Sequence, residues 1–253
     1  MSQSIKQEIV SIKIDNEQRL MKAYLASPAG SGKYPAVIIG MEIFGITDHI
    51  REITNLVAEL GYVAIALDFY HRTAPGTELP YNQDGRTTGL ELMHKLKRSE
   101  VLIDVKNSID FLRSRADVTG KIGFLGFSIG GHIAYLAATQ LDIKATACFY
   151  AGWLTNTDIE LSRPDPTITL TGGISKNGGR IVYFVGDQDS LITEEQLKIM
   201  KTVLISTNTN FEILVYPNTK HGFFCEQRPE TFNKHSRDNA WQHVQTLFAD
   251  ELH

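Results

Sequence analysis

Apolar runs without alternation recur along this chain, and each is joined to a stretch of helical spacing. The runs are "YPAVIIGM", "YVAIALDFY", "KIGFLGF", "IKATACFYAG", "RIVYFVG" and "FEILVYP". A strand that is apolar on both sides must be covered on both sides, and parallel sheets are built that way. Between and after them lie "DHIREITNLVAELG", "GLELMHKLKRSEVLIDVKNSIDFLRSR", "TEEQLKIMKTVLIST" and "FNKHSRDNAWQHVQTLFADEL". These read as helices, the second with a break near Arg98 and Ser99. Upstream, "QEIVSIKI" and "RLMKAYLASP" alternate apolar and polar residues around Asp15, Asn16, Glu17 and Gln18, which predicts an antiparallel hairpin. The expected fold is α/β: a mostly parallel central sheet with an antiparallel N-terminal hairpin and helices on both faces. It is expected to form a single domain over residues 1–253. Residues 152–179, "GWLTNTDIELSRPDPTITLTGGISKNGG", are turn-rich and lack periodicity. They are read as an insertion loop lying over the site.

Sheets of this kind place their functional residues just past the carboxyl ends of the strands. At one such end stands "GFSIG", with Ser128 between glycines 126 and 130. A serine before a helix can simply cap it, but that leaves the glycines without a reason. The pattern G-x-S-x-G between a strand and a helix is the nucleophile elbow, where crowding demands small neighbours and the hydroxyl stands exposed. The following N–H, on Ile129, and the helix amino end then face any oxyanion formed there.

A serine needs a base, and in this type of sheet the acid and the histidine follow it in chain order. "YFVGDQDSLIT" ends a strand with Asp187 and Asp189, and "FEILVYPNTKHGFF" ends another with His221. Either aspartate could instead cap the next helix, and His221 could be a solvated turn residue. The order Ser128, Asp, His221 favours a triad.

The remaining composition narrows the class by exclusion. A net charge of −4 gives no reason to expect nucleic acid. The eight histidines lack zinc-type spacing, and two cysteines, Cys148 and Cys225, are too few for a disulfide framework. No apolar run reaches membrane-spanning length, and the first residues carry no signal-type apolar core. The expectation is a cytoplasmic protein acting on a small molecule, with no nucleic-acid or membrane partner. Nothing in the sequence sets an oligomeric state.

"MEIFG", "LDFYHRTAPG", "GFSIGG", "VGDQD" and "KHGFF", in this order, resemble the dienelactone hydrolase family of α/β-hydrolases. The resemblance runs from about Pro35 to the final helix. It implies an α/β-hydrolase fold and hydrolysis of a carboxylic ester or lactone without metal or organic cofactor. It implies a triad of Ser128, Asp189 and His221, with Asp189 chosen because the family reads G-x-x-D from Gly186. The implied oxyanion donors are the amides of Ile43 and Ile129. Glu42 matches a glutamate that meets the resting nucleophile, and Arg72 an arginine that holds a substrate carboxylate. Two positions depart from the pattern. The family's elbow cysteine is Ser128 here. Its second arginine, four residues past the histidine, is Cys225, and the nearest arginine is Arg228. A peptidase or amidase on the same triad, or a non-catalytic binding protein of this fold, are the alternative readings.

Overall fold

A computed structural model describes residues 4–14 and 19–253. Strands β1 (Ile5–Lys13) and β2 (Leu20–Pro28) pair antiparallel, with Ile5 opposite Pro28 and Lys13 opposite Leu20. The turn expected at residues 15–18 lies outside the described residues. The unbroken apolar runs supply β3 (Tyr34–Gly40), β4 (Val63–Leu67), β5 (Val118–Phe127), β6 (Ala145–Phe149), β7 (Arg180–Gly186) and β8 (Asn210–Tyr216). All residues of β4 and β6 are buried, as such runs require.

The sheet has the order β1-β2-β4-β3-β5-β6-β7-β8. β2 pairs antiparallel with β4, and every pairing from β4 to β8 is parallel. The chain leaves β3 for β4 on one side and returns to β5 on the other. The carboxyl ends of β3 and β5 therefore flank a topological switch point, where crevices open in sheets of this type.

The helices are α1 (Asp48–Glu59), α2 (Gln83–Met93), α3 (Arg98–Ser114), α4 (Ile129–Gln140), α5 (Gly172–Lys176), α6 (Glu194–Ser206) and α7 (Lys234–Leu252). The expected break near Arg98 is real: α2 ends at Met93 and α3 begins at Arg98. Every residue of α4 except Gln140 is buried, because the helix is apolar all round and sits against the sheet centre. Residues 152–179 hold two 3-10 turns, Glu160–Ser162 and Thr167–Leu170, followed by α5. Side-chain bonds tie the stretch to α3 and α4. Arg98 donates to the Leu161 and Asp165 carbonyls, and Tyr135 meets Thr171 at 2.7 Å. Among the described residues no helix is long and apolar enough to cross a membrane.

Candidate active site

β5 runs into Ser128, whose backbone stands at φ 53° and ψ −114°. Few side-chain-bearing residues adopt such a conformation. Packing enforces it. A Cβ on Gly126 would lie 2.1 Å from the Gly130 carbonyl oxygen, and one on Gly130 would lie 2.3 Å from the Gly40 carbonyl carbon. The elbow thus presses backbone against backbone where β5 meets β3, and only glycine fits two residues to either side of the serine. Ser128 precedes α4 but makes no side-chain cap bond to it. Its Oγ instead lies 3.1 Å from Nε2 of His221.

His221 stands on the turn after β8, and its Nδ1 is 2.8 Å from Oδ2 of Asp189 on the loop after β7. The side chain of Asp189 is 0% exposed and that of His221 is 17% exposed. The other Asp189 oxygen, Oδ1, accepts from the Leu191 N–H at 2.9 Å. Asp187 is exposed and accepts from the Thr219 N–H at 3.2 Å, fastening the two loops to each other. Neither aspartate caps α6. Thr193 does so, in a capping box with Gln196.

Ser128 and His221 open into a narrow cleft of about 50 Å³, with Glu42, Ile43 and Phe44 from the loop after β3. Leu90 and Arg86 of α2, Trp153, Leu191 and Arg228 complete its walls. Of residues 152–179, Trp153 reaches this cleft. Ile129 begins α4 and is fully buried. The Ile43 carbonyl accepts from the Tyr70 hydroxyl at 3.1 Å.

Glu42 is 2% exposed, and neither of its carboxylate oxygens accepts a hydrogen bond from the described residues. Its charge faces Arg228, whose Nη1 is 3.6 Å from Oε1. The charge is felt around it. Burial first, then Glu42, pushes the Tyr150 and Tyr81 hydroxyls up. The same two causes push the Cys225 thiol up to about 12. Cys225 therefore stays a thiol at neutral pH.

Arg72 does not stand where the resemblance put it. Its Nη1 and Nη2 donate to the two oxygens of Asp104 at 2.6 and 2.7 Å, and Nη1 also lies 2.8 Å from Nε2 of His71. The side chain of Asp104 on α3 is 0% exposed, and a buried carboxylate needs such a fork. The guanidinium is paired with that carboxylate, and Arg72 is not among the residues that line the cleft. The arginines that do line the cleft are Arg86 and Arg228. Arg228 could have been suspected as the arginine nearest to the vacated position after His221. Arg86, Trp153 and Leu191 carry no sequence signal, because their place depends on how separate loops fold back.

Similarity to known proteins identifies the family. The dienelactone hydrolase family matches residues 21–252. A Synechocystis sp. protein named "Putative carboxymethylenebutenolidase" is 37% identical over 257 residues, covering all of both chains. A Bradyrhizobium sp. protein named "Probable 2-oxo-3-(5-oxofuran-2-ylidene)propanoate lactonase" is 28% identical, over 96% of this chain and 94% of that one. The crystal structure of a "Putative Dienelactone Hydrolase" from Klebsiella pneumoniae superposes with a TM-score of 0.86 at 27% identity, over 97% of this chain and 99% of that one. The chain, with its elbow, its parallel sheet and its switch-point cleft, belongs to the dienelactone hydrolase family of the α/β-hydrolases.

Proposed function

We propose that this protein opens carboxylic esters or lactones through an acyl-enzyme on Ser128. The observation that carries the reading is the continuous contact from Ser128 Oγ through His221 to the buried Asp189, at 3.1 and 2.8 Å. His221 Nε2 takes the hydroxyl proton as Oγ attacks the carbonyl carbon. Asp189 holds Nδ1–H, fixes the tautomer and stabilises the imidazolium. The amides of Ile43 and Ile129 hold the tetrahedral oxyanion, and losing one such donor typically costs about 3–4 kcal/mol in the barrier. The imidazolium protonates the departing oxygen, which in a lactone remains attached to the acyl chain. Water, deprotonated by the same histidine, then cleaves the acyl-enzyme.

The cleft's charge suggests the substrate class. Arg86 and Arg228 bring two guanidinium groups to its walls, against one carboxylate, Glu42. A substrate bearing its own carboxylate balances that excess, and the name of the Bradyrhizobium relative describes such a lactone. Glu42 holds Arg228 in the cleft until that carboxylate arrives. In this scheme the substrate carboxylate goes to Arg228 and Arg86, and Arg72 serves as a structural clamp.

Labelling with a fluorophosphonate, alongside hydrolysis of matched acidic and neutral esters, tests the reading. Wild type is expected to be labelled at Ser128 and to prefer the acidic ester, with Arg228→Ala losing that preference. Ser128→Ala is expected to lose labelling and several orders of magnitude in turnover. His221→Ala is expected to cost about as much, and the double variant little more, because the pair acts as a unit. Additive losses, or full activity in Ser128→Ala, would sink the mechanism.

A further inference from the structure

The segment that enters the cleft leaves β6 in an unfavourable conformation. Tyr150 and Trp153 stand at φ 39° and φ 59°. Bulky residues hold such angles only where their surroundings dictate them. Several bonds do so. The Tyr150 N–H donates to the Phe184 carbonyl at 2.7 Å, Tyr183 hydroxyl to the Ala151 carbonyl at 2.6 Å, and Ser162 Oγ to the Trp153 carbonyl at 2.8 Å. One more comes from the helix that Ser128 begins. His132, fully buried, has Nδ1 2.8 Å from the Gly152 carbonyl and Nε2 2.8 Å from Thr167 Oγ1.

The tautomer follows from the partners. A carbonyl only accepts, so Nδ1 carries the hydrogen and donates. Burial pushes His132 down to about 4, so the ring is neutral near pH 7 and Nε2 accepts from the Thr167 hydroxyl. The ring thus joins Gly152, beside Trp153, to Thr167 further along the same stretch. The backbone N–H of His132 donates to the Ser128 carbonyl at 3.1 Å, one helical turn from the proposed nucleophile. The same helical turn therefore carries both the elbow and the brace.

We propose that His132 is a positioning residue that fixes Trp153 as a wall of the cleft, and that this wall limits the size of the acyl group admitted. The inference rests on the reading of the cleft as an acyl site. His132 touches no substrate; Trp153 does.

The test uses p-nitrophenyl acetate, butyrate and octanoate, together with acrylamide quenching of Trp153 in a Trp241→Phe background. His132→Leu leaves the Gly152 carbonyl without its donor. It is expected to raise octanoate over acetate in kcat/KM by about tenfold, and to make Trp153 more quenchable. Trp153→Ala should give the same shift in preference, and the double variant no more. His132→Asn, whose amide N–H can reach the Gly152 carbonyl, should recover most of the wild-type preference. A folded His132→Leu protein with unchanged acyl preference and unchanged quenching overturns the proposal, as does Trp153→Ala with wild-type preference. If the wild type hydrolyses none of these esters and a fluorophosphonate does not label Ser128, the acyl reading fails by itself, and quenching still decides whether His132 holds Trp153. If His132→Leu does not fold, Thr167→Val removes the other bond to the ring, and unchanged quenching there overturns the positioning role.

Discussion

Asp187 and Asp189 lie two positions apart, yet the fold gives them opposite surroundings. One is exposed and ties a loop; the other is sealed against His221. Asp189→Asn is therefore expected to lower kcat by roughly 10⁴-fold through the wrong histidine tautomer. Asp187→Asn should cost about 1 kcal/mol of stability and leave kcat nearly intact. Steady-state kinetics and urea unfolding of both variants separate the two, and the reverse pattern would reassign the acid. The places of Ser128, His221 and an aspartate after β7 were legible because each follows a recognisable strand, and strand ends converge; Asp189 rather than Asp187 came from the family resemblance alone. Arg72 was not, because a guanidinium goes to whichever carboxylate the tertiary fold brings up, and Asp104 lies on a helix far along the chain. Arg72→Ala strands that buried carboxylate and should destabilise the protein by about 3–5 kcal/mol. The preference for acidic over neutral esters should survive it. A stable variant that loses the preference would return Arg72 to the substrate.

Periodic helices, the alternating hairpin and the unbroken apolar strands were readable, including the division between α2 and α3. Residues 152–179 were not, because 3-10 turns and a five-residue helix have no repeat long enough to register. Specific bonds to α3 and α4 hold that stretch, and such partners cannot be seen in one dimension. α4 concentrates the consequences. Gly130→Ala drives a methyl into the backbone of β3, and should cost about 3 kcal/mol or more, or prevent folding. Thermal melts and soluble yield report it. His132 adds a pH dependence. Burial holds it at about 4 in the folded protein, below the ordinary histidine value of about 6.5, so the unfolded chain binds the extra proton between those pH values. Stability should fall by about 3 kcal/mol as pH drops from 6.5 to 4, on this group's account. Urea midpoints at pH 7 and pH 4.5 should therefore converge in His132→Asn relative to wild type. An equal acid loss in both proteins would contradict the assignment.

At the scale of the whole molecule, the parallel sheet and its antiparallel start followed from the kind of apolar run each strand carries. The strand order did not. It depends on crossovers that no local pattern records, and it is what brings the loop after β3 beside the loop after β5. The same order sets Ser128 at the centre of the sheet and puts His221 after β8, which pairs with β7 alone among the described residues. An outer strand opens more readily than a central one, because one ladder of bonds holds it instead of two. Partial opening there would separate His221 from Ser128, the proposed base and nucleophile, while the centre of the sheet remains intact. Turnover should thus decline at urea concentrations below the main transition seen by far-ultraviolet dichroism, and amides of β8 should exchange with deuterium faster than those of β5. Coincident curves for activity and dichroism would mean that the margin of the sheet is as firm as its middle. If the curves separate, the span over which the catalyst works is narrower than the span over which the protein stays folded.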